Sequence, residues 1–472
     1  MIRRTVITAL FCTLIAAASG PPSQAAPRGA DGKLEIEVVD SETGQPIAAR
    51  MHLKNSRGRP VKLNLPNAAE FGGHFYIDGR ITLPLRRGQY TFDLDAGPEY
   101  RPQTGHFEIE RHADDTKRIE MKRFANLAEE GWWAGDLDVR RPPRDMPLIV
   151  RAEGLQDIRI SDFGLRIADS GDQSAIRSST ELAEGNPQSE IKIARVPYAW
   201  DLPVWLARDQ LAAIQLIHHH ALRDGVVDNE DDGRPRDLSL FPGRSGNARW
   251  SETVYYHVLN CGLRIPPAAG SGSGDNENPV GTNRVYVFCG DKFSADEWWE
   301  GLQAGQIFVT NGPLLRPLVE GHPPGYVFHL EPNGSLTLEI GLDLATRVPI
   351  EYLQIIKNGS VEADVRLADW ANRKGRLPPL IFDDSGWFLV RAVTNNQHTY
   401  QFASSGPYYV EESGRPRISR RSVQFFLDWI DAAKQRLAEM PALDQAARQS
   451  LLAQQDTAEE FFTALLTKAN AD

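Results

Sequence analysis

Between Gly32 and about Arg123, apolar and polar residues alternate in short runs. Leu34-Glu35-Ile36-Glu37-Val38-Val39 leads into the turn residues Asp40-Ser41-Glu42-Thr43-Gly44-Gln45-Pro46, and Ala48 to Leu53 alternates again. Ile81 to Leu85, Gln89 to Leu94 and Arg118 to Met121 repeat the pattern. A period of two sends successive side chains to opposite faces, so each run predicts a half-buried strand. Short strands joined by Gly and Pro turns predict a small β-sandwich over residues 32–124. His52, His74, His106 and His112 lie in this stretch, too scattered to form a ligand set. They read as surface or packed residues.

From Gly131 the pattern changes to alternating strands and helices. Trp132 to Val139, Asp157 to Ser161, Ala212 to Ile217, Arg284 to Phe288 and Ile307 to Val309 read as strands. Met146 to Gly154, Leu202 to Gln210, Glu252 to Asn260 and a segment from Ser294 to Ala304 read as helices, with Ser294 as the cap. Strand followed by helix, repeated, predicts a parallel sheet or barrel over 130–317 with sites at the strand C-termini. β pattern returns over 318–412, with an Asn358-Gly359 turn, and predicts a second sandwich-like segment. A helical tail over 419–470 follows, with Val423, Phe426, Leu427 and Ile430 at helical spacing and a break at Pro441. The fold class is thus multidomain α/β and β.

The strand Trp132 to Val139 carries the most informative polar pattern. Leu137 and Val139 share one face, and Asp136, Asp138 and Arg140 the other, before Pro142-Pro143 ends the run. Burying three ionisable groups unpaired is costly, so such a face belongs at a functional mouth or meets water at a sheet edge. Periodicity does not separate the two.

Composition narrows the partners. The chain has 472 residues, and Arg3-Arg4, the apolar run Val6 to Ala18 and Ser23-Gln24-Ala25 read as a secretory leader over residues 1–26. The apolar run is too short to span a bilayer, which implies a secreted or periplasmic protein with no transmembrane segment. Loss of that leader moves the formal charge from −11 to −13, because it removes two arginines and no acid. Such a surface repels a nucleic-acid backbone, so that partner class is excluded. Cys261 and Cys289 remain, and in an oxidising compartment they have the option of pairing; the sequence leaves their geometry open.

Several stretches coincide with the predicted strand ends: Asp136/Asp138/Arg140, Ser161-Asp162-Phe163, His218-His219-His220 and Ala269-Gly270-Ser271-Gly272-Ser273-Gly274. With "NCGLRIPPAAGSGSG", "NPVGTNRVYV" and "WWEGLQAGQIFVTNGPLL", this order resembles the PHP (polymerase and histidinol phosphatase) superfamily, in its secreted carbaryl-hydrolase-type (CehA/McbA-like) branch. The resemblance covers about Gly131 to Pro317. It implies a distorted β/α barrel and a metal-dependent hydrolase. The segment "EIEVVDSETGQPIAARMHL" with "GQYTFDLDAGPEYRP" resembles the carboxypeptidase-regulatory-like sandwich, which implies an accessory module.

The departures from the family pattern matter more. Where the family has histidines in its G-D-L-H-x-H and T-D-H motifs, this chain has Asp138, Arg140 and Phe163; where it has the late aspartate and histidine, this chain has Gly272 and Gly274. Arginine stays charged and is no ligand, and Phe and Gly offer no lone pair. Arg140 between Asp136 and Asp138 is then expected to form an internal ion pair in place of the metal charge. The candidate cavity residues are Asp136, Asp138, Arg140, Glu153, Asp162 and His219. If one divalent ion binds, its ligands are Asp136, Asp138, Asp162 and His219; the preferred reading is hydrogen-bonded residues with no cofactor. Alternation through the histidine run sends His219 to the face opposite His218 and His220, which selects it. The expected function is a binding or scaffold protein for a small molecule or carbohydrate, and the alternative is a hydrolase of esters or phosphoesters with a reduced site. Trp132-Trp133, Trp298-Trp299 and Tyr255-Tyr256, with Trp200 and Trp205, are candidate sugar platforms, although one of each pair is expected in the core. No G-x-S-x-G elbow is present, and the glycine loop lacks the P-loop layout.

Overall fold

A computed structural model of the chain describes residues 30–63, 69–160, 192–223, 225–230, 233–441 and 443–472. The leader expected over residues 1–26 lies outside them, as does Asp162. The protein is mixed α/β, with several sheets and a C-terminal helical tail.

The N-terminal segment forms one eight-stranded sheet. Its strand order is Gln103–Ile109, Gly88–Asp95, Ala48–Asn55, His74–Asp78, Arg80–Leu85, Gly32–Asp40, Asp114–Met121, and Glu70–Phe71 pairs with His74–Asp78. Every pair is antiparallel except Gly32–Asp40 with Asp114–Met121. Alternate residues Ile36, Val38, Met51, Leu53, Ile77, Leu83 and Leu94 fill its core. The sheet curls round that core until Gly32–Asp40 touches Gln103–Ile109.

Beyond Gly131 two strand systems meet. Trp132–Val139 runs parallel to Asp157–Ile160. Ile193–Ala194, Ala213–Ile217 and Pro267–Ala269 form a parallel set of their own. Its last strand leads to a parallel bridge between Ser273 and Val139. The helices Met146–Glu153, Leu202–Ala207 and Gly246–Asn260 lie between these strands in sequence.

The other edge of Trp132–Val139 pairs antiparallel with Arg284–Phe288, which begins a run through Ile307–Thr310, Phe402–Ser405, Gly386–Thr394 and Ile350–Lys357 to Ser360–Val365. One ten-stranded sheet therefore crosses the boundary expected near residue 317. Both its faces are covered. Val285, Val287, Ile307 and Val309 enter one core, and Tyr286, Phe308, Leu353 and Phe388 enter another. A sheet buried on both sides reads as continuous apolar runs, as these strands do. The same holds for Trp132–Val139, where Leu137 joins the first core and Val139 the second. Its acids consequently do not face water.

The tail completes the first core. Helices Arg420–Glu439 and Gln445–Thr467 pack on each other, and the first packs on Gly246–Asn260. Trp250 stacks on Trp429 with ring centroids 6.5 Å apart, and Phe426 on Phe462 at 5.0 Å. The Ser419 hydroxyl accepts the N–H of Ser422 and the Asp444 carboxylate that of Ala447, which stops two helix N-termini from fraying. Cys261 and Cys289 are both free thiols. Among the described residues no helix is long and apolar enough to cross a membrane.

Candidate functional site

Because Trp132–Val139, Ala213–Ile217 and Pro267–Ala269 run parallel, their C-terminal ends emerge on one side. The glycine loop stitches them together. Gly270 N–H donates to the Ile217 carbonyl (3.0 Å), Gly272 N–H to Asp138 O (2.8 Å), and Arg140 N–H to Ser273 O (2.7 Å). The Asn283 amide donates to both His218 O and Gly270 O at 2.9 Å. Backbone approaches this closely only where side chains are missing. Gly272 has φ +61°, and a Cβ there would run into the Cβ of His219; at Gly274, φ +118°, it would run into the Arg140 carbonyl. Three of the four stretches singled out in the sequence thus converge. The fourth, Ser161-Asp162-Phe163, lies outside the described residues.

Asp136 is fully buried and serves the backbone. Its Oδ1 accepts the N–H of Asp138 (3.1 Å) and Ser271 (3.0 Å), and Oδ2 that of Gly281 (2.7 Å). Burial pushes its carboxyl up to about 6, against the opposing pull of these hydrogen bonds. Asp138, also fully buried, accepts from Arg140 Nε at 3.2 Å and Nη2 at 3.5 Å. Arg195 approaches Oδ2, which Arg140 Nη2 also faces, to 3.3 Å through Nε and 3.2 Å through Nη2. Arg140 also pairs with Asp275. The internal ion pair is therefore present with a different membership. Arg140 bridges Asp138 and Asp275, and Asp136 is left to main-chain N–H groups and the Ser271 side chain. Arg195 and Asp275 were not among the sequence candidates; the acid directly after the glycine loop was the available signal for the second.

The histidines depart from the expected alternation. The strand ends at Ile217, and His218 to His220 lie in the turn before the hairpin Ala221–Leu222/Gly225–Val226. A turn has no period of two, so all three rings form one cluster. Their centroids are 5.9 Å (His218–His219), 5.3 Å (His218–His220) and 4.3 Å (His219–His220) apart. His218 Nε2 meets the Ser251 hydroxyl at 3.0 Å and its Nδ1 accepts the His220 N–H at 3.4 Å. His220 Nδ1 lies 3.5 Å from the Tyr198 hydroxyl. His219 Nδ1 is buried without a hydrogen-bond partner. Burial holds His218 and His219 well below the usual imidazole range, and His220 adds to the effect, so both rings are neutral at pH 7.

Glu153 belongs elsewhere. It ends the helix Met146–Glu153, which packs on the N-terminal strands Ala48–Asn55 and His74–Asp78. Its carboxylate accepts from Arg50 Nε at 2.6 Å and from the Tyr76 hydroxyl at 3.3 Å. Arg50 also reaches Asp95 (3.3 Å), which Arg347 holds from the far side. This buried network joins the N-terminal sheet to the rest of the chain. His52 and His74 flank it, their rings 5.1 Å apart.

The donor set does not fit the metal ion that the PHP resemblance implies. Asp136 has given both oxygens to N–H groups, Asp138 is shared between guanidinium groups, and both His218 nitrogens are engaged. Among the described residues no group of three or more His, Cys, Asp or Glu side chains is arranged to hold an ion. Gln215 Oε1, His219 Nδ1, Ser273 Oγ and Asn283 Oδ1 are buried around these strand ends without a hydrogen-bond partner. Of the aromatic candidates, Trp132, Trp298, Trp299, Tyr255 and Tyr256 are buried in the cores, and Trp133, Trp200 and Trp205 are half-buried. Compared with protein-family models, curated proteins and solved structures, the chain matches none.

Proposed function

We propose that this chain is an exported protein built on the PHP plan, with a carboxypeptidase-regulatory-like module in front. In this reading the metal charge has been exchanged for an arginine–carboxylate cluster, and the protein binds a small molecule or carbohydrate without hydrolysing it. The observation that carries the reading is Asp138, fully buried between Arg140 and Arg195, at the place where the resemblance puts a metal-ligating histidine. A buried carboxylate facing two guanidinium groups already has its counter-charge, which weakens the case for recruiting an ion. Parallel strand ends converging on one mouth support the β/α-barrel reading, because ligands collect at the C-terminal ends of such strands. Elemental analysis of purified, dialysed protein tests it. The expected result is less than stoichiometric zinc, manganese and iron. A full equivalent of any of them, surviving dialysis, overturns it.

One observation favours a hydrolase with a reduced site. Asp136, with its carboxyl pushed up to about 6, and His219, with a buried unpartnered Nδ1, lie beside the same glycine loop. For that reading Asp136→Ala, Asp162→Ala and His219→Ala each have to abolish any ester or phosphoester hydrolysis found; unchanged turnover in all three removes it.

A further inference from the structure

Trp200, one of the aromatic residues that the sequence marks as a sugar platform, lines an open groove of about 420 Å³. The facing wall is the C-terminal end of helix Arg420–Glu439. There Ala432, Gln435, Arg436 and Glu439 recur at helical spacing and share one face. Met440 and Pro441, just past the helix, complete the lining. The volume falls in the range of small-ligand sites.

Both walls are held in place. Ala199 bridges to Gly233, and the N–H groups of Leu202 and Trp205 donate to Ala199 O (2.9 Å) and Asp201 O (3.0 Å), which fixes the backbone on either side of Trp200. Its indole packs in part on the first core and is half-buried. The helix turns Trp429 and Ile430 into the same core, and Arg448 Nη2 donates to the Met440 carbonyl at 2.6 Å. Inside the groove the Arg436 guanidinium lies 5.3 Å from the centroid of the Trp200 ring. Lys434, on another face of the helix, is engaged by Asp456 and Glu459. Gln435 and Glu439 are exposed and have no hydrogen bond or ion pair among the described residues. Nor has the Trp200 indole N–H a hydrogen-bond partner among them.

We propose that this groove binds one unit of a neutral glycan beside Trp200. A sugar ring offers an apolar C–H surface, which an indole covers, and hydroxyls that both donate and accept. The Glu439 carboxylate accepts, the Trp200 and Arg436 N–H groups donate, and the Gln435 amide does both. Charges of both signs lie here: Arg436 has Asp201 as a neighbouring acid, and Glu439 follows three residues along the helix. Neither sign dominates, so the ligand needs no ionised group. A proline-rich peptide also seeks aromatic grooves, but its prolines have no N–H for Glu439 to accept. None of these side chains belongs to the arginine–carboxylate cluster, so the site stands apart from the reading of the mouth.

The test is isothermal titration of the full-length protein with cellohexaose, xylohexaose, maltohexaose and N-acetylchitohexaose. At least one is expected to bind with a Kd of about 1 mM or tighter, unchanged by added salt. Trp200→Ala is expected to weaken that binding at least about tenfold. Because Trp200 also packs on the core, Gln435→Ala and Glu439→Ala form a second arm at exposed positions. Each is expected to weaken binding about threefold or more and to leave the unfolding midpoint in place. Absence of binding by all four oligosaccharides at about 10 mM overturns the inference. Binding that survives all three substitutions overturns it too, since the sugar then sits elsewhere. So does a decaproline peptide that binds in place of every sugar and is lost with Trp200→Ala.

Discussion

Replacing Asp138 by Asn removes a carboxylate charge that Arg140 and Arg195 both face, at nearly constant volume. At 3.2 Å and an effective permittivity of about 20, one such pair has a gross attraction of about 5 kcal/mol, of which desolvation cancels the larger part. The two arginines differ in burial. The Arg140 side chain is 13 % exposed and the Arg195 side chain 45 %. Water screens the second pair, so its share is under about 1 kcal/mol. The first approaches the cost of breaking a buried pair, and Asp138→Asn is expected to destabilise the protein by about 3 kcal/mol. Urea unfolding followed by tryptophan fluorescence measures this, with a constant slope as the condition for comparing midpoints. Double-mutant cycles with Arg140→Met and Arg195→Met separate the partners. The Asp138–Arg140 coupling is expected at about 2 kcal/mol and the Asp138–Arg195 coupling below about 1 kcal/mol. A reversed ranking, or an Asp138→Asn protein as stable as the parent, refutes the ion-pair account. A metal ligand at this position would give another signature: chelator-treated parent protein would fall to the stability of the variant.

Three further outcomes follow from the geometry. Glu153→Gln leaves Arg50 short of its closest counter-charge and is expected to cost about 3 kcal/mol, with faster amide exchange over Ala48–Asn55 and Met146–Glu153; unchanged exchange there would count against a junction role. Asp136 holds its proton more tightly folded, at about 6, than unfolded, so its stabilising contribution is complete below about pH 4 and is lost as pH rises through 6. The difference in unfolding free energy between the parent and Asp136→Asn is expected to change by up to about 3 kcal/mol across that window, and a flat difference would contradict the burial argument; Asp157, also raised to about 6, is common to both proteins and cancels. Gly272→Ala forces a side chain into the left-handed region and against His219 Cβ, and a loss below about 1 kcal/mol in thermal or urea unfolding would show that the loop yields freely.

Local chemistry was readable wherever one residue sets the geometry. Ser294 caps the helix Ala295–Gln303 by accepting the Glu297 N–H, and Asn358-Gly359 turns with φ of 52° and 87°, as an Asn-Gly hairpin requires. Strands with strong alternation, such as Gly88–Asp95, stood out, whereas His74–Asp78, buried at four successive positions, had no period to detect. The continuation of the sheet from Ile307–Thr310 to Phe402–Ser405 depends on an edge-to-edge match across about ninety residues, which no local pattern encodes. At the candidate site, Asp136, Asp138, Arg140 and the glycine loop were legible because strand ends and glycines mark it. Glu153 was misplaced although Met146, Ile149 and Glu153 share the helix's buried stripe, which points at the N-terminal sheet. His219 was selected for a face it does not have, because the strand stops two residues earlier.

The sheet that runs through both halves also sets how this chain tolerates cutting. A fragment stopped near residue 317 would retain Ile307–Thr310 with its outer ladder bare and with apolar side chains on both surfaces unclad. Such an edge recruits other chains, so that piece should come out of a cell as insoluble material even though it holds most of the mouth.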